Sequence, residues 1–272
     1  MKVQAGATVG AVQGALPLDP LENRILLCHA LGLTRVGLIT QSHRALTGAE
    51  AAALNALVAR RVAGEPIAYI VGKREFFGLD FRVTDAVLIP RPDTELLVEL
   101  ALERLAPGAA LLDMGTGSGA IAVAIAHTRL DARVSALDAS TAALEIARAN
   151  AAAHGAAVRF LQSDWFAALA GERFDLIVSN PPYIAGADLH LSQGDLRFEP
   201  VAALTDHADG LSDLRKIVAG AAPHLAPGGF LLLEHGYDQA AQVRDLLAEQ
   251  GYQQVQSWRD LAGIERVSGG RA

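Results

Sequence analysis

From Ala109 onward the sequence alternates short apolar runs with longer stretches of helical periodicity, and this constrains the fold more than any other feature. The pattern predicts strands over 110–114, 134–138, 158–162, 176–179 and 230–234, with helices over 119–127, 141–153, 211–222 and 238–250. Repeated strand–helix–strand units at this spacing specify a parallel sheet with helices on both faces. The last part departs from the rule. Stretches 253–258 and 264–267 both read as strands with no room for a helix between them, so they are expected to pair antiparallel.

Upstream, the chain has another character. Leu21, Ile25, Leu26 and residues 28–31 form an apolar helical face ending near Gly32, and 48–62 repeats Ala and Leu at helical spacing before Gly64 and Pro66. Stretches 67–71 and 76–83 are β-rich and broken by Gly72 and Gly78, which predicts a hairpin. Two prolines stiffen the segment Ile89-Pro90-Arg91-Pro92-Asp93-Thr94-Glu95, where Asp93 or Thr94 is expected to cap a helix starting near Glu95. The expected division is a helical segment over 1–66, a hairpin linker over 67–85 and an α/β domain over 86–272.

Composition excludes several classes. The longest apolar stretches, such as 120–126, fall short of the roughly 18 to 20 residues a membrane helix needs. The segment Met1-Lys2-Val3-Gln4-Ala5-Gly6 lacks the pattern of a secretory signal. One cysteine, Cys28, and no Cys/His cluster predict a cytoplasmic protein without disulfide or metal. The net charge of −7 is uneven, with +2 over residues 1–85 and −9 over the rest, and it weighs against a basic nucleic-acid footprint.

Three predicted strand ends carry ligand chemistry. Asp113-Met114-Gly115-Thr116-Gly117-Ser118-Gly119 falls where the first parallel strand turns into its helix, and its glycines let backbone approach a ligand closely. By itself this loop fits an S-adenosylmethionine site or a dinucleotide fingerprint, with Asp138 placed for ribose hydroxyls in both cases. Asp164-Trp165 ends the third strand, where the indole can meet an adenine ring and the carboxylate its exocyclic amine. The set predicts an adenosine ligand without deciding which one.

Asn180-Pro181-Pro182-Tyr183, after the fourth predicted strand, decides in favour of methyl transfer to a planar nitrogen. An amide nitrogen is a poor nucleophile because its lone pair is delocalised, so both N–H bonds must be held with the nitrogen facing the methyl. The Asn180 side-chain oxygen and the Pro181 carbonyl can each accept one hydrogen. The prolines stiffen the loop and add no competing donors. Tyr183 can stack on the planar group and lie near a sulfonium cation. Asn180, Pro181 and Tyr183 are therefore the expected catalytic residues, with Pro182 in the substrate contact. No general base is required, because a newly methylated amide nitrogen that keeps both protons is strongly acidic. The motif suits a protein amide or the exocyclic amine of a nucleic-acid adenine equally well. A non-catalytic adenosine-binding module is the reading from a different class.

Beyond these motifs the chain resembles the release factor glutamine N5-methyltransferases of the PrmC/HemK family. The resemblance covers about residues 20–271. It rests on Glu65-Pro66-Ile67-Ala68-Tyr69-Ile70, Arg74-Glu75-Phe76-Phe77-Gly78, the stretch from Ile89 to Glu95, the glycine loop, Asn180-Pro181-Pro182-Tyr183-Ile184, Arg197-Phe198-Glu199-Pro200, Asp209-Gly210-Leu211 and Glu265-Arg266-Val267. Met114 stands where the family usually has leucine, an apolar exchange. The resemblance implies a class I methyltransferase fold, with a Rossmann-like, mostly parallel seven-stranded sheet containing one antiparallel strand, behind a small helical domain and a β-hairpin. It implies S-adenosyl-L-methionine as cofactor and S-adenosyl-L-homocysteine as product. The substrate it implies is the glutamine of the Gly-Gly-Gln motif of class I peptide chain release factors, with no direct nucleic-acid partner. Cofactor contacts are implied at Gly115, Thr116, Gly117, Ser118, Gly119, Asp138, Trp165 and Asn180, joining Asp164 expected from its strand end, and glutamine contacts at Asn180, Pro181, Pro182 and Tyr183. Residues 1–66 become the expected substrate-recognition domain, and a monomer is the expected state.

Overall fold

The computed structural model describes residues 2–272, which form two units that divide between Gly72 and Lys73. The first is helical: α1 (Val9–Gln13), α2 (Pro20–Leu31), α3 (Arg35–Thr40), α4 (Gly48–Val62) and α5 (Ile67–Val71). Val9, Leu26, Leu27, Leu38 and Leu54 are buried together at its centre, each worth about 1.5–3 kcal/mol of transfer free energy. Helix α4 starts with a reciprocal capping box, in which Thr47 accepts from Glu50 N and Glu50 accepts from Thr47 N.

Two expectations need correction here. The β-rich stretch 67–71 is helical: Pro66 opens α5, Ala68 and Ile70 are buried, and Gly72 in the left-handed region ends it. Five residues are too few for β-branched propensity to outweigh packing. The helical unit therefore runs to Gly72, and the hairpin is confined to β1 (Lys73–Phe76) and β2 (Leu79–Arg82). Their turn residues, Phe77 and Gly78, both have positive φ, as the twist of a two-residue hairpin demands.

The second unit continues through α6 (Glu95–Arg104), β3 (Ala110–Met114), α7 (Ala120–Thr128), β4 (Arg133–Asp138), α8 (Thr141–Ala153), β5 (Val158–Gln162) and β6 (Phe174–Ser179). After a long loop come α9 (Val201–Leu204), α10 (Ser212–Ala221), β7 (Leu225–Glu234), α11 (Ala240–Glu249), β8 (Gln253–Arg259) and β9 (Glu265–Arg271). The seven strands lie in the order β5-β4-β3-β6-β7-β9-β8. All run parallel except β9, which is antiparallel to both neighbours. This is the expected α/β sheet with one reversed strand.

Side chains of the central strands alternate between two cores, as a period of two requires. Leu111, Leu176, Val178 and Leu232 pack on one face with α6 and α7, and Leu112, Ile177, Leu231 and Leu233 on the other with α10 and α11. Strand β3 pairs with β4 on one side and β6 on the other, so the strand order reverses there. A crevice opens at such a point, beyond the carboxyl ends of the strands.

Candidate active site

The crevice holds a cavity of about 290 Å³ lined by Gly115, Gly117, Asp138, Asp164, Trp165, Asn180 and Pro182. A smaller space of about 60 Å³, lined by Arg91, Asn180, Pro181 and Tyr183, shares Leu88, Asn180 and Ala203 with it. Asn180 thus lies on the wall common to both.

Gly115, Gly117 and Gly119 all have positive φ. A Cβ at Gly119 would also be crowded, standing 3.1 Å from that of Ala147 on α8. Thr116, Ser118 and Gly119 do not line the cavity. They build the turn instead: Thr116 and Ser118 are buried, and the Thr116 hydroxyl donates to Asp113 at 2.6 Å. Asp138 accepts from Gly117 N and from Ser140 N, each at 2.9 Å. Ser140, not Asp138, caps α8, by accepting from Ala143 N. Burial pushes the Asp138 carboxyl up, against these backbone donors.

Trp165 has a φ of 45°, a strained conformation for a bulky residue, costing about 1–3 kcal/mol. Ser163 holds it, donating to Trp165 O at 2.7 Å and accepting from Ala168 N. The strain turns the indole towards the glycine loop, with a ring atom 3.9 Å from a Cβ built at Gly115.

On the other side, no donor among the described residues bonds the side-chain oxygen of Asn180 or the Pro181 carbonyl, while Asn180 Nδ2 donates to Thr94 Oγ1 at 3.2 Å. Asp93 or Thr94 was expected to cap α6; Thr94 holds the cap position, but its side chain makes no capping hydrogen bond. It closes a 3₁₀ turn over Pro92–Thr94, and its hydroxyl serves Asn180. Tyr183 donates to Glu234 Oε1 at 3.4 Å, and burial pushes its phenol well up, so it stays protonated. Tyr183 O accepts from Gln239 Nε2, and Gly210 leaves the space this needs: a Cβ there would come within 2.5 Å of Tyr183 O. Glu199, buried after the long loop, pairs with Arg91 and accepts from Ile89 N at 3.0 Å, tying the proline-rich segment to the wall of the smaller space.

Asp213, buried on α10, lines the cavity, whereas two further buried carboxylates, Asp113 and Glu234, line neither space; none of the three was an expected site residue. Asp113 has its Oδ1 without a hydrogen-bond partner, and burial pushes its carboxyl up to about 7. Glu234 has an unpartnered Oε2 and is likewise pushed up to about 7 by burial. Each is the acidic residue of a strand end, Asp113 next to last in β3 and Glu234 last in β7; in sequence only the first belonged to a recognised motif.

The first unit matches the PrmC N-terminal domain family over residues 12–72, and the second matches the Methyltransferase small domain family over 92–196. The release factor glutamine methyltransferase of Burkholderia pseudomallei is 59% identical, covering 97% of this chain and 96% of its own. That of Bordetella pertussis is 55% identical over 93% and 95%, and that of Neisseria gonorrhoeae 52% over 95% of each. The chain belongs to the release factor glutamine methyltransferase family. Among solved structures, a methyltransferase from Pyrococcus furiosus superposes with a TM-score of 0.55 at 23% identity, covering 78% of this chain and 95% of that one. A 16S rRNA N2 G1207 methyltransferase of T. thermophilus gives 0.54 at 24%, over 73% and 49%. At such identities they establish that the family member shares the methyltransferase fold. Among the described residues, no helix is long and apolar enough to cross a membrane.

Proposed function

We propose that the protein transfers a methyl group from S-adenosyl-L-methionine to the side-chain amide nitrogen of the glutamine in the Gly-Gly-Gln motif of class I release factors. One observation carries the reading: Asn180 stands on the wall shared by the larger and smaller spaces, with its side-chain oxygen and the Pro181 carbonyl both lacking protein donors. Two acceptors at that boundary suit a planar group with two N–H bonds.

The larger space fits the cofactor. Positive-φ glycines admit it to the backbone, Asp138 offers a carboxylate for ribose, and Asp164 and Trp165 flank the far wall. When bound, the cofactor supplies an electrophilic methyl on a sulfonium. Asn180 and Pro181 hold the glutamine amide by its two hydrogens and so present nitrogen rather than oxygen. Tyr183 and Pro182 wall the planar group. Orientation of this kind removes the entropic part of a barrier, and the two fixed acceptors stabilise positive charge developing on the nitrogen. The proton then leaves to solvent.

The helical unit, 2–72 as described, is assigned to release-factor recognition. Its exposed Val36 and Ile39 on α3 and its slight basic balance support this against the acidic remainder. The protein acts as a cytoplasmic monomer without metal. The deciding experiment offers labelled S-adenosylmethionine with purified release factor, with its Gln-substituted variant and with DNA. Label is expected on the intact release factor alone. Label on DNA alone would overturn the reading in favour of adenine methylation.

A further inference from the structure

Glu234 ends β7 with its side chain wholly enclosed, yet among the described residues no lysine or arginine is ion-paired with it. What surrounds it is the machinery of the acceptor site. Tyr183 Oη donates to its Oε1. The Thr94 hydroxyl lies against the same carboxylate and favours its ionised form, while Oε2 has no aligned donor. That hydroxyl also accepts from Asn180 Nδ2. One carboxylate thus stands behind both ends of Asn180-Pro181-Pro182-Tyr183.

We propose that Glu234, acting through Thr94 and Tyr183, is the positioning residue that fixes which end of the Asn180 amide faces the acceptor glutamine. The role rests on the methyl-transfer reading above and adds to it the reason the grip has the right polarity. An ionised carboxylate only accepts hydrogen bonds. Thr94, with a single hydroxyl hydrogen, must turn it to Glu234. Its oxygen is then available only as an acceptor, so Asn180 must present Nδ2 to Thr94 and its oxygen to the substrate. A protonated Glu234 removes the constraint. It can donate to Thr94, whose hydroxyl can then donate to Asn180. The amide turns over and sets an N–H against the N–H it should accept.

The groups facing Glu234 from the elements around it are few. Asp93 beside Thr94 disfavours its charge. Arg266 on β9 favours it, but is shared with Asp93 at 3.4 Å and Asp260 at 3.1 Å. His235, next on its own segment, contacts Gly236 O and Ser268, and burial lowers its pKa, so it adds no charge near neutrality. Burial outweighs the rest and places the titration of Glu234 at about 7. The raised value means that the ionised, correctly polarised state is lost as pH falls through that point.

The test is a pH profile of methyl transfer to purified release factor from about pH 5.5 to about pH 9, for the wild type, Glu234→Gln, Thr94→Val and Thr94→Ser. The wild-type kcat should fall on the acid side with a midpoint near 7. Glu234→Gln, whose amide offers Thr94 either a donor or an acceptor, should lower the plateau kcat about tenfold, the scale of one aligned hydrogen bond, and flatten that limb. KM for the release factor and cofactor affinity by calorimetry should stay near wild type. Thr94→Val should match Glu234→Gln, Thr94→Ser should recover most of the loss, and the double variant should add little to either single one. Independently of turnover, infrared difference spectra should show a buried carboxylic acid band that titrates near the same pH and is missing in Glu234→Gln. An acid limb unmoved by Glu234→Gln overturns the proposal. Should that variant not fold, a Thr94→Val enzyme with wild-type kcat and acid limb overturns it instead. Failure of the underlying function looks different, with no transfer to release factor by the wild type at any pH.

Discussion

The two sides of the cavity are built on different plans. At Asp138 the supports are local: the carboxylate is held by backbone N–H groups of Gly117 and Ser140, and the whole arrangement follows from two strand ends and their turns. At Asn180 the supports are remote: Thr94 lies 86 residues upstream, and Glu234, 51 residues beyond Tyr183, stands on another strand. A locally built half is expected to tolerate changes elsewhere in the fold, because backbone amides need no further support. A half built from distant side chains depends on each of them keeping its place. On the proposed mechanism the first binds and the second aims, and the two should separate under mutation.

The sharpest break is Asn180→Ala. Removing the acceptor that aims the amide should lower kcat about a thousandfold while cofactor affinity by calorimetry stays within a few-fold, the pattern of an interaction made chiefly in the transition state. Unchanged turnover would sink the mechanism. The opposite pattern is expected of Asp138→Ala: cofactor affinity should weaken about 10- to 100-fold, as for a hydrogen bond to a charged group, with kcat at saturation nearly preserved. Equal affinity would remove Asp138 from the site. Gly210→Ala tests the remote plan without touching the cavity. A Cβ at 2.5 Å from Tyr183 O must displace that segment and should cost about tenfold in kcat against little in cofactor affinity.

The smallest effect concerns stability. Burial raises the Asp113 carboxyl to about 7 in the folded chain, above its unfolded value. Its contribution is therefore fully present below the unfolded value and is lost as pH rises through about 7. Thermal melts of the cofactor-free protein should lose stability as pH rises from the ordinary 3.8 to about 7 and level off above it, and Asp113→Asn should reduce that slope. An unchanged slope would show that Asp113 does not titrate there.

How far the sequence revealed each half follows from the same contrast. The positions of the glycine loop, Asp138 and Trp165 were legible because each stands at a strand end that periodicity locates, whereas the order of strands around β3 is visible only in the fold. Asn180 and Tyr183 were legible as a motif, but their supports were not. Thr94 read, with Asp93, as a candidate helix cap; it does hold the cap position, but only the fold shows its hydroxyl turned towards Asn180. Glu234 read as the end of an apolar strand. The strain at Trp165 and the space kept by Gly210 are backbone facts with no local signature. Residues 67–71 misled because short β-branched runs carry little information against burial, and α1 and α3 were too brief to show a period.

The place of β9 has a consequence for how the chain reaches this state. It follows every other strand in sequence, yet it lies between β7 and β8 rather than at an edge. The sheet therefore cannot grow outward in order of sequence. Strand β8 has no partner until a later segment slips in beside it, and Arg266, the cation near Glu234, arrives with that segment. A chain clipped after Arg259 would present two open edges, on β7 and β8, and unpaired edges invite pairing between molecules. Proteolysis in the turn before Glu265 should thus lead to aggregation before it yields a soluble, slower enzyme.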